Sequence, residues 1–153
     1  MAKPTPELQH RLVLRPGGDD LHKLSPWFEA IATRVALPSS IAFRIHVVLE
    51  EAATNAVLHG QDPGDAGEVT LELTATPDRV VAVLRDTGRP FDPLKEAQAA
   101  PEPKLIAEAV IGGLGVTLMR KFCSELSYRR FGETNELTMG FDVNAMASGG
   151  GDK

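Results

Sequence analysis

The 153 residues are 42% hydrophobic and 24% charged, the range of an ordinary globular domain that buries roughly two-thirds of its unfolded surface. A disordered, collagen-like or disulfide-stapled chain is excluded. The 16 Lys+Arg against 21 Asp+Glu leave a net charge of −5, so no global positive field exists to hold nucleic acid or an anionic membrane. Cys123 is alone, cannot form an internal disulfide and reads as a small buried hydrophobe, which leans toward a cytoplasmic protein. The longest stretch free of Asp, Glu, Lys and Arg is the 11 residues Ala109 to Met119, against the ~18 a membrane helix needs. Met1 to Thr5 has no apolar core after its lysine, so no signal peptide is expected.

Arg11-Leu12-Val13-Leu14, closed by Pro16-Gly17-Gly18, predicts a first strand. Asp19 to Leu37 carries Leu21, Leu24, Trp27, Phe28, Ile31 and Val35 at helical period and predicts an amphipathic helix ending near Pro38. Ser39 or Ser40 offers an N-cap to a second helix through about Leu58, striped by Ile41, Ile45, Val48 and Ala52, with Gly60 as its stop. Glu68 to Thr74 and Arg79 to Arg85 alternate as strands around a Thr76-Pro77-Asp78 turn. Residues 87–104 hold five Gly or Pro positions, Gly88, Pro90, Pro93, Pro101 and Pro103, and predict a long loop of the kind that serves as a lid or binding segment. Leu118, Met119, Phe122 and Leu126 mark a third buried helical face, and Glu125 to Phe131 and Asn135 to Val143 form a closing hairpin around Gly132. The order predicts one α+β domain over residues 1–145, a sandwich with helices on one face of a mixed sheet, and a flexible tail over 146–153.

Three short motifs could carry chemistry. Glu51 and Asn55 lie four apart on the second helix and share a face at the margin of its apolar stripe, while Glu50 points about 100° away. An amide oxygen suits magnesium, and a carboxylate one turn away could deprotonate a hydroxyl attacking a phosphate; the same pair could equally be a helix-edge hydrogen-bonding couple. Asp86-Thr87-Gly88 follows an apolar strand, where a carboxylate can accept from an exocyclic amine and glycine lets backbone approach a flat ring, or where a simple Asx turn can sit. Gly112-Gly113-Leu114-Gly115 sets pliable backbone amides at a helix N-terminus, a geometry that receives phosphate; it is neither a Walker nor a dinucleotide fingerprint. His46 and His59 lack partners at zinc spacing and read as ordinary helix residues.

Taken in order, Glu51 with Asn55, then Asp86-Thr87-Gly88-Arg89-Pro90-Phe91-Asp92-Pro93, then Gly112-Gly113-Leu114-Gly115 resemble the three ATP-binding boxes of the GHKL superfamily, which includes gyrase, the histidine kinases and the mismatch-repair ATPases. Glu50 to Gly60, the Phe91-Asp92-Pro93 ending and the Tyr128 to Leu137 finish resemble bacterial anti-sigma-factor serine kinases of the RsbW type. The resemblance runs from about Leu8 to Phe141 and implies a two-layer Bergerat sandwich that holds ATP between helices and sheet. It implies Asn55 as the magnesium ligand, Glu51 as general base and Asp86 as holder of the adenine amine beside Gly88. It implies Gly112, Gly113, Leu114 and Gly115 as the phosphate receiver, under a flexible lid opened by Phe91 and running to Ile111.

By that resemblance the cofactors are ATP and Mg2+, and the partners are a small antagonist protein phosphorylated on serine or threonine, a sigma factor, and a second copy of the chain in a homodimer. No nucleic acid and no membrane are expected. An ATP-gated binding module with little catalysis is the second expectation. A detached histidine-kinase-type catalytic domain is the third, placed last because no phosphoacceptor-histidine helix precedes the boxes here.

Overall fold

Two periodicities in the sequence, 2 and 3.6, separate into two layers in the computed structural model, which describes residues 8–16, 20–59, 67–90, 92–95 and 114–149. The sheet strands are β1 (Leu8–Leu14), β2 (Val69–Ala75), β3 (Arg79–Asp86), β4 (Glu125–Phe131) and β5 (Thr134–Asp142). They lie in the order β1-β2-β3-β5-β4. Every pairing among the described residues is antiparallel, so the expected mixed sheet is corrected. The reason is connectivity: two tight hairpins fix β2 against β3 and β4 against β5, and antiparallel pairs are what such short turns can join.

The helices are α1 (Leu24–Arg34), entered through a 3-10 turn at Asp20–Lys23, α2 (Ser39–Thr54), α3 (Leu114–Phe122) and α4 (Val143–Gly149). They cover the sheet face formed by Val69, Leu71, Leu73 and Ala75 of β2, Val80, Ala82 and Leu84 of β3, and Leu137, Met139 and Phe141 of β5, all buried. The predicted stripe of α2, Ile41, Ile45, Val48 and Ala52, is buried throughout, as are Leu24, Phe28 and Ile31 of α1. Ser25 Oγ and His46 Nε2 are hydrogen-bonded at 2.8 Å and the His46 ring stacks on Phe28, tying α1 to α2. Arg44 of α2 and Lys121 of α3 both lie over the Phe122 ring, which ties α2 to α3.

Helix ends depart from the reading in three places. Neither Ser39 nor Ser40 caps α2; Pro38 holds the N-cap position and its carbonyl accepts from the Ile41 and Ala42 amides. This follows from the preceding stop, where Ala36 takes φ 56° and the Ala36 and Leu37 amides bond back to the Thr33 and Ala32 carbonyls, leaving two residues to turn the chain. Residues 55–59, expected as plain α-helix, form a π-helical turn from Asn55 to His59. The wider turn buries Ala56 and Val57 and puts Leu58 outside at 59% exposure. The first part of the expected tail is helical, because the Asp142 carboxylate accepts the Ala145 amide and starts α4; residues 150–153 and Gly60 lie outside the described residues.

Cys123 is half-buried against the core, and burial pushes its thiol up to about 12, as expected of a small hydrophobe.

The outer face of the sheet carries a row of charges, Arg85, Glu136 and Arg129 in cross-strand register, with Glu72 diagonal to Arg85. Arg85 reaches Glu72 at 2.9 Å and Glu136 at 2.8 Å, and Arg129 reaches Glu136 at 2.6 Å. The stems of the two arginines leave Glu136 6% exposed. Hydrogen bonding from Arg129 holds the Glu136 carboxyl below its ordinary value; burial opposes the shift and the Arg85 bond adds to it. A carboxyl whose folded pKa lies below its unfolded one stabilises fully above the unfolded value and loses that contribution as pH falls through the folded one. Stability is therefore expected to drop with acidification below the ordinary carboxyl value of 4.5. Urea-unfolding midpoints followed across that range test this, and Glu136→Gln is expected to flatten the acid limb.

Candidate nucleotide site

The strand ends and the α2–π junction meet at one small crevice. It is lined by Ala52, Asn55 and Ala56 from the helix, Leu84 and Asp86 from β3, Tyr128 from β4, Asn135 and Leu137 from β5, and Pro93 from the loop. Its volume is about 20 Å³, room for a water molecule.

Asp86 is the last residue of β3 and shares the inward parity of Val80, Ala82 and Leu84, so its carboxylate faces the helices and is 7% exposed. Its Oδ1 accepts from the Gly88 amide at 2.9 Å, the Asx turn that the sequence offered as the plainer reading. The same oxygen also accepts from Asn135 Nδ2 at 2.9 Å. The turn and the inward carboxylate thus coexist.

Asn55 stands where α2 gives way to the π-helical turn. Single π turns shift the helical register of the residues after them and recur at functional sites; here the turn starts at a residue that lines the crevice. Glu51, one turn earlier, is half-buried. Gly115, second residue of α3, packs on its side chain: a Cβ added at Gly115 would overlap Glu51 Cγ, Cδ and Oε1. The last glycine box and the helix pair are therefore in contact. Only glycine fits here without moving Glu51.

Of the sequence candidates, Asn55 and Asp86 line one crevice, Gly88 is held to Asp86, and Glu51 is joined to Gly115. Phe91, Gly112 and Gly113 lie outside the described residues, as do residues 96–111 of the expected lid and the side chain of Leu114. Three residues that were not candidates enter the site. Asn135 also donates to the Arg89 carbonyl at 2.9 Å, its Oδ1 accepts from Tyr128 Oη at 2.6 Å and Arg130 at 2.8 Å, and Arg130 donates to the Gly88 carbonyl at 3.0 Å. A signal was present: Asn135 shares the strand parity of Leu137, Met139 and Phe141, a polar residue on a core face.

No group of three His, Cys, Asp or Glu among the described residues could enclose a metal ion. An Asn amide oxygen suits magnesium held by few protein ligands and by phosphate oxygens, and Asn55 is the crevice-lining residue that could supply it. No helix among the described residues is long and apolar enough to cross a membrane.

Comparison with known proteins agrees with this architecture. Residues 16–141 match the family model described as the histidine kinase-like ATPase domain. The chain is 34% identical over 113 residues to the serine/threonine-protein kinase BtrW of Bordetella bronchiseptica, covering 74% of this chain and 79% of that protein. It is 32% identical over 83 residues to the anti-sigma F factor of Bacillus subtilis, covering 54% of this chain and 56% of that one, so the match spans little more than half of the latter relative. Among solved structures, the histidine kinase domain of the Erythrobacter litoralis EL346 blue-light activated histidine kinase matches with TM-score 0.53 and 19% identity, over 87% of this chain and 64% of that one; at that identity the likeness is one of fold. With a family match that spans residues 16–141, the chain belongs to the histidine kinase-like ATPase domain family, the GHKL type that its three boxes resemble.

Proposed function

We propose that the protein is an ATP-dependent serine/threonine kinase of the partner-switching kind, which phosphorylates a small antagonist protein and also binds a sigma factor. The observation that carries this is the single crevice shared by Asn55 and Asp86, with Glu51 one turn from Asn55 and touching the final glycine of the last box. The printed names of the Bordetella and Bacillus relatives, a serine/threonine-protein kinase and an anti-sigma F factor, support the acceptor and partner classes. A cytoplasmic location and a homodimer belong to the same reading.

When bound, ATP supplies the phosphoryl group and magnesium offsets charge on its phosphates. Asp86 would accept from the adenine amine, and Gly88 and Phe91 would flank the base. Asn55 would hold the magnesium, and the amides of Gly112, Gly113, Leu114 and Gly115 would receive the phosphates. Glu51 takes the proton from the acceptor hydroxyl as it attacks. The buried Pro93 lies at the crevice beside Asp86 and Asn135, so the loop that carries it borders the space the base would take.

Gly115→Ala separates the fold from the chemistry. The added methyl is expected to turn the flexible Glu51 side chain aside, while helix propensity at that position improves by roughly 0.5–1 kcal/mol. Transfer is expected to fall by about 10- to 100-fold while the fold is kept, the propensity gain being offset by the displacement of Glu51 from its Cγ outward. Equal transfer by variant and parent would detach Glu51 from the reaction.

The functional test is incubation with magnesium and γ-labelled ATP in extract of the source organism. Acid-stable, alkali-labile label on a small protein is the expected result. Acid-labile label would point to a histidine acceptor instead, and nucleotide binding without any transfer would leave an ATP-gated binding module.

A further inference from the structure

We propose that Asn135 is the positioning residue of the base pocket: it fixes the orientation of Asp86 and of the Gly88-Arg89 turn, and through them sets the preference for adenine over a base lacking the exocyclic amine. This rests on the nucleotide-binding reading of the crevice and adds to it a determinant that lies in none of the three boxes.

The register puts three residues in one row across three strands. Asp86 of β3 faces Asn135 of β5, and Asn135 faces Arg130 of β4. All three lie on the inward parity of their strands, one residue away from the outer row of Arg85, Glu136 and Arg129. A slip of one residue would exchange the two rows. The ion-paired outer row therefore helps to hold the inner row in place.

Asn135 is 3% exposed and its hydrogen-bonding capacity is filled. A carboxamide has two N–H donors and two acceptor lone pairs. The donors go to Asp86 Oδ1 at 2.9 Å and to the Arg89 carbonyl at 2.9 Å, with the Gly88 carbonyl a longer third contact at 3.4 Å. Both lone pairs are taken, one by Tyr128 Oη at 2.6 Å and one by Arg130 at 2.8 Å.

The amide can point only one way. Rotation by 180° would set its oxygen against a carboxylate and two carbonyls, and its NH₂ against a guanidinium, which cannot accept. Asp86 Oδ1 in turn is committed to two donors, the Gly88 amide and Asn135. The carboxylate cannot swing without breaking both bonds. A base-reading acceptor held in this way discriminates by geometry, because the donor must come to it. Arg130 ties the Gly88 carbonyl into the same network at 3.0 Å, so the turn that meets the ring and the acceptor that reads its edge share one anchor.

A merely architectural asparagine would affect stability and leave base preference alone. The test is therefore the ratio of ATP to ITP affinity, measured by calorimetry with magnesium on the full chain. ITP carries an oxygen where ATP carries the exocyclic amine. The parent is expected to favour ATP, Asn135→Ala to lose about 10-fold in ATP affinity with little change for ITP, and Tyr128→Phe to lower the ratio by about 3-fold in the same direction. Tyr128→Phe removes one O–H donor to Asn135 and keeps the ring, so it supplies the readout even where Asn135→Ala does not fold. A ratio unchanged in the variants that fold overturns the proposal while the nucleotide site stands. A parent chain that binds neither nucleotide overturns the functional reading and this inference with it.

Discussion

Replacing Glu51 with glutamine is expected to lower phosphoryl transfer by about 10²- to 10⁴-fold while ATP affinity stays within a few-fold of the parent. The substitution keeps the volume that packs on Gly115 and removes only the basic oxygen. On the proposed mechanism that oxygen accepts the proton of the attacking hydroxyl, so its loss appears in the chemical step and in kcat. Single-turnover transfer measured beside calorimetric ATP binding separates the two. A variant that transfers at the parental rate would show that Glu51 has no part in proton transfer, and one that loses ATP affinity in proportion would make Glu51 a binding residue.

Phe141→Ala is expected to cost about 3–5 kcal/mol, a large share of the ~5–15 kcal/mol that holds a domain of this size. Phe141 is fully buried on the helix-facing side of β5, paired in register with Val80 on the central strand β3. Removing the ring loses its transfer free energy and leaves a cavity beneath the helices, which a sheet anchored on both sides of β5 cannot collapse to fill. Urea unfolding followed by circular dichroism measures the loss. A cost below about 1 kcal/mol would mean that the site relaxes, which contradicts the core described above.

The layers were legible because the periodicities were clean. The alternation of Val69, Leu71 and Leu73 and the stripe of Ile41, Ile45, Val48 and Ala52 each predict a buried face, and each is buried. The β4 bounds coincide with those expected, because Cys123-Ser124 and Gly132 interrupt the pattern at its ends. Strand direction was not legible, since alternation describes which face a residue takes and says nothing about its neighbour's polarity. The π-helical turn at Asn55 was hidden for a related reason: its residues have ordinary helical composition, and the wider turn comes from packing, with Ala56 and Val57 drawn inward and Leu58 left out. Helix α4 was masked by a glycine-rich composition that the Asp142 cap overrides for its first turns.

The proximity of the candidate residues was legible where a motif is local. Glu51 with Asn55, and Asp86 with Gly88, are each contained in one element and its end, and the structure gathers them. The contribution of Asn135, Tyr128 and Arg130 depends on the register of three strands, a long-range property. Its trace in the sequence is parity alone: Asp86 in step with Leu84, Asn135 with Leu137, and Arg130 with Leu126 and Tyr128, polar groups continuing apolar faces at one end of the sheet.

The central claim is that α2 and the ends of β3 and β5 form a magnesium-dependent ATP site. Isothermal titration of ATP and ADP, with and without magnesium, into the parent chain and into Asn55→Ala tests it most directly. ATP binding that requires magnesium in the parent, and that weakens by at least about 10-fold in Asn55→Ala while the variant's unfolding curve stays unchanged, is the predicted result. No nucleotide binding under any condition, or binding that is indifferent to both magnesium and Asn55, would contradict the account.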